Sequence, residues 1–143
     1  MAQKPRLGQT RLRVVFDTNI YVSAILFGGA PRLCLEAARN GECELVSSSA
    51  ILLELARVLR EKFRWSEQDI AEVIVGLGKF TTIAKADEKF TVIKDDPSDN
   101  KVVEAAVEAK ANFIVSGDKQ HILPLKKFQG ITIFTAAEFL KEL

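Results

Sequence analysis

Two aspartates in this sequence each follow a short apolar run that is expected to form a strand. Asp17 comes directly after residues 13–16, and Asp118 comes shortly after residues 112–115. Such runs are typical of strands buried on both faces of a parallel sheet, whose carboxyl ends meet at the edge where ligands bind. If strand 13–16 is central and strand 112–115 is its neighbour, both carboxylates lie at that edge. The alternative for Asp17 is a helix N-cap, a position that favours Asp.

Asp99 is expected to reach the same edge from the start of a helix. Asp96 is a favoured N-cap and Pro97 a favoured first residue, so a helix is predicted from there to about Lys110. A helix that leads into a parallel strand begins at the carboxyl edge, and Asp99 shares a helix side with the apolar Val102. We therefore expect it to face inward. The open alternative is an acid that only complements the helix dipole.

Glu54 is expected about one turn into a helix that begins near the same edge. The serines at 47–49 can cap a helix over residues 50–62, whose apolar residues recur at helical spacing. Glu54 lies at the border of that apolar stripe, close enough to the edge to reach the other acids. The alternative is a half-exposed helical glutamate that pairs with Arg57, and Glu61 continues the same border.

The four acids would be costly to gather in one cleft, because carboxylates repel and desolvate one another. A divalent cation is the simplest physical relief. Oxygen ligands from carboxylates suit Mg²⁺ or Mn²⁺ rather than zinc. A metal held in this way commonly activates water and stabilises charge that develops on a phosphoryl group. The convergence of Asp17, Glu54, Asp99 and Asp118 therefore predicts a metal site suited to phosphate-ester chemistry.

The elements that must position these acids alternate between strands and helices along the chain. This alternation predicts a three-layer α/β/α sandwich with a central, mostly parallel sheet of about five strands. Residues 1–10 are predicted to form a flexible N-terminal tail, and residues 11–143 a single domain. The predicted strands are 13–16, 44–46, 80–83, 112–115 and 131–133, with a further extended piece at 90–93. The predicted helices are 20–27, 31–39, 50–62, 66–78, one from Pro97 to about Lys110, and a last one that Thr135 caps and that runs to Leu143.

Composition places the chain among ordinary globular proteins, with 143 residues, 48% hydrophobic and 27% charged. A net charge of +1 gives no global basic excess, so an anionic partner must be held by a local patch or through metal. Residues 1–13 lack the apolar region of a signal peptide, and no apolar run approaches the roughly 20 residues of a membrane span. Cys34 and Cys43 have no CxxC or histidine-bearing spacing, which argues against zinc and for a reducing compartment. We expect a cytoplasmic protein.

Four motifs, in order, resemble those of PIN-domain proteins. The resemblance runs from about residue 13 to residue 143 and is closest to the bacterial and archaeal group described as toxin components of toxin–antitoxin pairs. One motif alone would be weak, whereas four at these spacings are specific. They are Val14-Val15-Phe16-Asp17-Thr18-Asn19, Glu54-Leu55 with Val58-Leu59, Asp96-Pro97-Ser98-Asp99-Asn100, and Val115-Ser116-Gly117-Asp118-Lys119.

The resemblance implies a metal-dependent endoribonuclease on a compact α/β/α fold, with Mg²⁺ or Mn²⁺ as cofactor. The family's acidic quartet would fall on Asp17, Glu54, Asp99 and Asp118, as catalytic residues and metal ligands. Ser116 stands where the family more often has Thr, and the hydroxyl is kept. Supporting roles, in orienting acids or binding metal-bound water, would fall on Thr18, Asn19 and Ser116, while Asp96 would be a helix cap or a fifth acid.

The resemblance further implies single-stranded or looped RNA as the substrate, because its backbone can bend into the cleft. It also implies an antitoxin protein that covers the acidic cleft with an Arg or Lys, and a homodimer. His121 lacks a second ligand at metal-binding spacing, and Trp65 is more typical of packing than of base stacking. Phosphate-binding candidates, each of which could equally be a solvated helix face, are Arg32, Arg57, Arg60, Lys62, Arg64 and Lys119.

Two other functions are compatible with an acidic α/β edge. One is a catalytically silent PIN-like module that binds RNA or protein, against which the presence of all four acids argues weakly. The other is a receiver or an aspartyl-phosphate hydrolase, whose nucleophile motifs usually carry another acid two residues after the first. Asn19 occupies that position here, and Thr135 rather than a lysine follows the last predicted strand.

Overall fold

The computed structural model of the protein describes residues 11–84, 97–118 and 122–143, with residues 97–100 described by their backbone alone. The predicted tail at 1–10 and the predicted extended piece at 90–93 lie outside these residues. So do two predicted residues, Asp96 and Lys119, and also His121, for which no role was predicted.

Within the described ranges, strands and helices alternate through most of the chain. The strands are β1 (Arg13–Phe16), β2 (Glu44–Ser48), β3 (Thr81–Ala84), β4 (Phe113–Val115), β5 (Lys127–Phe128) and β6 (Ile131–Phe134). The α-helices are α1 (Thr18–Leu26), α2 (Gly29–Arg39), α3 (Ser49–Glu61), α4 (Glu67–Gly78), α5 (Pro97–Glu108) and α6 (Ala136–Leu140). A 3₁₀ turn spans Leu123–Leu125.

The strands form one sheet in the order β3-β2-β1-β4-β6-β5, parallel except for β5. Strand β1 is central and pairs with β4 in the register Phe16↔Val115. Helix α5 packs against β1, β2 and β4, while α1 packs against α2 and α3. The predicted α/β architecture with helices on both sides of a mostly parallel sheet is therefore confirmed, and the residues after β1 and β4 are neighbours at the same edge.

The structure differs from the prediction at the end of the chain, where the sheet has a sixth strand. Strand β5 pairs antiparallel with β6 through Lys127 and Phe128 alone. Two residues are too few to show the alternation by which strands are recognised. Gln129 and Gly130 close the hairpin with positive φ angles of 49° and 82°, a turn more usually marked by Asn-Gly or Asp-Gly. The last helix also ends at Leu140, earlier than predicted.

The centre of the core lies directly beneath Asp17. Val14, Val15 and Phe16 are completely buried, as expected for a strand covered on both faces. The Phe16 ring lies 5.6 Å from the Tyr21 ring of α1 and 6.4 Å from the Phe139 ring of α6, centroid to centroid. The tip of β1 is thus fixed by packing from two helices, which holds Asp17 in one place.

Helices α1 and α2 are joined by a sharp bend of 98°. None of the described helices is by itself long and apolar enough to cross a membrane, although α1 and α2 would pass that test if joined. Cys34 of α2 and Cys43 are buried free thiols. Burial raises the pKa of both thiols to about 12, so that at neutral pH they stay protonated and unreactive.

Thr135→Ala is expected to lower the melting temperature by about 3 °C, corresponding to about 1 kcal/mol of unfolding free energy. The Thr135 hydroxyl accepts a hydrogen bond from the Glu138 amide at 3.2 Å, and the Glu138 carboxylate accepts one from the Thr135 amide at 2.8 Å. This capping box starts α6. Thermal unfolding followed by circular dichroism measures the loss. Thr135→Ser, which keeps the hydroxyl, should unfold like the wild type; equal losses in both variants would contradict the capping role.

Candidate active site

Asp17 stands at the tip of β1 and begins α1. Its amide donates a hydrogen bond to the Val115 carbonyl at 3.0 Å, which joins the tips of β1 and β4. Its Oδ1 accepts a hydrogen bond from the Ile20 amide at 2.9 Å, the N-cap bond of α1. The cap interpretation of Asp17 is therefore correct as far as it goes. It uses one carboxylate oxygen and leaves the other for the site.

Ser116 connects the two aspartates at this edge. Its side chain is completely buried, and its amide donates to the Phe134 carbonyl of β6 at 2.9 Å. The Ser116 hydroxyl donates a hydrogen bond to Oδ2 of Asp17 and accepts one from the Asp118 amide at 2.9 Å. One hydroxyl thus fixes the Asp17 carboxylate and the backbone at Asp118 together.

Burial, hydrogen bonds and a neighbouring acid all act on the pKa of Asp17. The side chain is 4% exposed, and burial raises its pKa above the ordinary value. Hydrogen bonds from the Ser116 hydroxyl and from the amides of Ile20 and Gly117 act in the opposite direction, and the nearby Asp118 charge raises the pKa further. A cation near Asp17 would relieve both the burial and the repulsion.

Asp118 is half-buried in the loop that follows β4. Its carbonyl accepts a hydrogen bond from the Leu123 amide at 2.9 Å. This bond brings the 3₁₀ turn back toward the sheet edge that carries Asp17 and Asp118, hereafter the acidic edge. Since Asp118 acts electrostatically on Asp17, the structure brings these two predicted acids together.

Glu54 lies in the second turn of α3, which Ser48 begins at the carboxyl end of β2. The Ser48 hydroxyl accepts a hydrogen bond from the Ile51 amide at 3.2 Å and so acts as the N-cap. The Glu54 side chain is 15% exposed; its Oε1 lies 3.4 Å from Nη2 of Arg57 and its Oε2 lies 3.7 Å from Nζ of Lys101. The contact with Lys101 places Glu54 against the first half of α5.

Asp99 lies in the first turn of α5, and its side chain belongs to the part that is not described. Among the side chains that are described, no three from His, Cys, Asp and Glu come together as a metal site. The described geometry is thus a pair, Asp17 and Asp118, with Glu54 outside that pair. The four-acid metal site stays a prediction.

Thr18 and Asn19, predicted to support the acids, form the first residues of α1. Thr18 is half-buried and Asn19 is exposed. Their supporting role stays a prediction, while the hydrogen bonds of Ser116 give that residue a visible means of orienting Asp17.

Arg32 does not lie with the acids. Its Nε donates to the Ala24 carbonyl at 2.9 Å and its Nη2 donates to the Ile25 carbonyl at 3.2 Å, in the last turn of α1. Because Asp17 is the N-cap of the same helix, a rise of 1.5 Å per residue separates the two by roughly 11 Å along the axis. Arg32 therefore caps the carbonyl end of α1.

The other predicted phosphate-binding cations differ in their surroundings. Arg57 pairs with Glu54 and, at 2.9 Å, with Glu61. Arg60 pairs with Glu67 of α4, through Nη2 and Oε2 at 3.1 Å and through a second, shorter contact. Lys62 and Arg64 are exposed beyond α3.

Sequence reasoning did not single out three polar residues near the acids. Lys101 follows Asp99 by two residues and pairs with Glu54, a contact between helices that no local pattern reveals. Tyr21 and Ser47 are completely buried, and their hydroxyls lie close enough for Ser47 to affect the pKa of Tyr21. Burial raises the pKa of Tyr21, as does the Asp17 charge to a smaller extent, while the neighbouring Ser47 lowers it. The only sequence signal was a tyrosine in an otherwise aliphatic stretch.

The donors at this edge fit a hard divalent cation. Asp17 and Asp118 offer carboxylate oxygens and Ser116 fixes the first of them, a donor set that suits Mg²⁺ or Mn²⁺. The raised pKa of Asp17 points the same way, since a bound cation stabilises the ionised form of a buried carboxylate.

Two comparisons with known proteins each match most of the chain. The family model described as "PIN domain" matches residues 13–120, which contain all four predicted acids. An uncharacterized protein of the archaeon Methanocaldococcus jannaschii is 29% identical over 122 residues, covering 82% of this chain and 77% of that protein.

Proposed function

The chain belongs to the PIN domain family, whose members are generally nucleases, and we propose that it is a metal-dependent endoribonuclease. The observation that carries the proposal is the sharing of Ser116 between Asp17 and Asp118. The shared hydroxyl fixes one acid at the tip of each of the two central strands of the sheet, where ligands bind in parallel α/β folds.

The residues proposed to hold Mg²⁺ or Mn²⁺ are Asp17 and Asp118, with Asp99 and Glu54 completing the set. When bound, such a cation lowers the pKa of a water molecule and neutralises charge that develops on a phosphoryl group. Ser116 keeps Oδ2 of Asp17 in a fixed direction, and the amide of Ile20 does the same for Oδ1. The protein thereby pre-organises one ligand before the cation arrives, as supporting hydrogen bonds do in metal sites.

The proposed substrate is single-stranded or looped RNA. A flexible single strand can bend so that one phosphodiester enters the acidic edge, whereas a stiff duplex cannot. With a net charge of +1 the protein offers little long-range attraction for RNA, so the bound cation and a few local cations must supply it.

The test is cleavage of a 5′-labelled single-stranded RNA by the purified protein in Mn²⁺ or Mg²⁺. We expect internal cleavage that EDTA abolishes and that added Mn²⁺ restores. A DNA of the same sequence serves as the matched substrate control. RNA binding without cleavage at any concentration of either metal would instead support a silent binding module, and a stable aspartyl-phosphate at Asp17 would support a phosphotransfer domain.

The cellular role that we propose is that of a toxin in a toxin–antitoxin pair. It rests on the motif resemblance, as do a homodimeric assembly, a cytoplasmic location and an antitoxin segment that offers Arg or Lys to the acidic edge. Expression of the wild type without neighbouring genes should slow growth, and expression of Asp17→Asn should not. Harmless expression of soluble wild-type protein would argue against the toxin role and leave the nuclease proposal standing.

A further inference from the structure

Both carboxylate oxygens of Glu54 face cations, and the two cations come from different helices. Arg57 belongs to α3, like Glu54 itself, and its Nη2 lies 3.4 Å from Oε1. Lys101 belongs to α5, and its Nζ lies 3.7 Å from Oε2. Lys101 is therefore the residue that ties Glu54 to the helix on which Asp99 stands.

Neither contact is a tight ion pair. Charge-assisted hydrogen bonds between nitrogen and carboxylate are typically about 2.7–2.9 Å long, and both contacts are longer. The Lys101 side chain is 39% exposed against 15% for Glu54, so the lysine is the more solvent-accessible member of the pair. A loose, half-exposed pair costs little to break.

The two cations differ in what else they contact. Arg57 also pairs with Glu61 at 2.9 Å, so the loss of Glu54 would leave it held by Glu61. For Lys101, Glu54 is the one ion-pair partner in the described part of the chain. If Glu54 turns to a bound cation, the Lys101 ammonium loses this partner and can bind an anion instead.

We propose that Lys101 first pairs with Glu54 and later binds the RNA substrate. While no divalent cation is bound, Lys101 neutralises Glu54 and holds it against α5. Once Glu54 binds a cation, Lys101 binds a phosphate of the RNA, for which a flexible ammonium is well suited. The inference rests on the proposed nuclease function. It adds that a lysine of this chain competes with the metal for one acid and then contributes to substrate binding.

The test measures the affinity for Mn²⁺ and the KM for RNA. Loss of the lysine charge should strengthen metal binding and weaken RNA binding. In Lys101→Gln, loss of the competing charge should tighten Mn²⁺ binding by about three-fold, as measured by isothermal titration calorimetry on the metal-free protein. The same variant should raise KM for RNA, and the slope of log KM against log salt concentration should fall by about 0.7, the value for one phosphate contact on a single strand. Lys101→Arg, which keeps the charge, should restore both quantities toward wild type.

The matched control is Lys127→Gln, the same change of charge on the exposed strand β5. It should alter neither quantity. Weaker or unchanged Mn²⁺ binding in Lys101→Gln, or an unchanged KM and salt slope, overturns the role of Lys101. Wild-type protein that binds no Mn²⁺ and cleaves no RNA overturns the proposed function as well, so the two failures are distinguishable.

Discussion

Asp17→Asn is expected to abolish RNA cleavage while leaving a folded and more stable protein. The substitution removes the charge that would hold the cation, and a loss of roughly 4 kcal/mol of transition-state stabilisation corresponds to about a 10³-fold fall in kcat/KM. The Asn side chain keeps an oxygen for the Ile20 amide, so the cap of α1 survives. Cleavage of labelled RNA under saturating Mn²⁺ measures the loss.

The stability gain follows from the sign of the pKa shift of Asp17. Burial raises this pKa in the folded protein above the ordinary value of 3.8, so the folded state binds the proton more tightly than the unfolded chain. The stabilisation from the protonated form is complete below the unfolded-state pKa and is lost as the pH rises through the folded-state pKa. The buried carboxyl of Asp17 therefore costs the metal-free protein stability as the pH rises toward neutrality.

Thermal unfolding in EDTA across the pH range tests this sign. At pH 7 we expect Asp17→Asn to melt at a higher temperature than wild type, and the difference should vanish at a pH below the ordinary pKa. Added Mn²⁺ should raise the melting temperature of the wild type and leave the variant unchanged. Asp69→Asn, an exposed acid in the first turn of α4, should give no gain. A lower melting temperature for Asp17→Asn at pH 7 would contradict the argument.

The position of Asp17 could be predicted because the three consecutive apolar residues before it indicate that β1 is buried. A strand with no polar face is expected inside a parallel sheet. In such a sheet the carboxyl ends of neighbouring strands lie at the same edge, where ligands bind. That strand 112–115 is the neighbour was a condition of the sequence interpretation, and the observed register Phe16↔Val115 fulfils it. The strand and its direction are local features that the sequence carries, whereas the pairing of β1 with β4 is seen only in the folded sheet.

Arg32 and Lys101 show where the sequence stops. Gly28 adopts a φ of 85°, a left-handed conformation that turns the chain back after α1, and this turn puts Arg32 on the carbonyls of α1. Sequence alone marks the glycine as a helix end and cannot give the direction of the turn. The Lys101 contact with Glu54 depends on how α3 and α5 pack, which no single-segment pattern encodes.

The role of Ser116 was partly predicted from the sequence and is partly visible only in the folded structure. The motif resemblance made it a candidate to orient the acids, and its hydroxyl lies between two groups that only the sheet brings together. The interaction explains how Asp17 can cap α1 and serve the site at once. The helix amide holds one oxygen and the serine holds the other, so both carboxylate oxygens of Asp17 are held by hydrogen bonds.

Ser116→Ala is accordingly expected to lower kcat/KM by about 10–100-fold, the usual effect of removing a hydrogen bond that orients a metal ligand. The Ala variant leaves Oδ2 of Asp17 without its donor and the Asp118 amide without its acceptor, in a buried position. Mn²⁺ binding should weaken together with kcat/KM, because both depend on the direction of the Asp17 carboxylate.

Ser116→Thr and Ser48→Ala separate this effect from a general loss of stability. Ser116→Thr keeps the hydroxyl and should retain most of the activity and Mn²⁺ affinity. Ser48→Ala removes the N-cap bond of α3 at the same edge of the sheet, at a cost of about 1 kcal/mol, and touches neither acid. It should lower the melting temperature and leave kcat/KM unchanged at temperatures where the protein is folded. If Ser48→Ala lost as much activity as Ser116→Ala, the effect would belong to the stability of this edge and not to the orientation of Asp17.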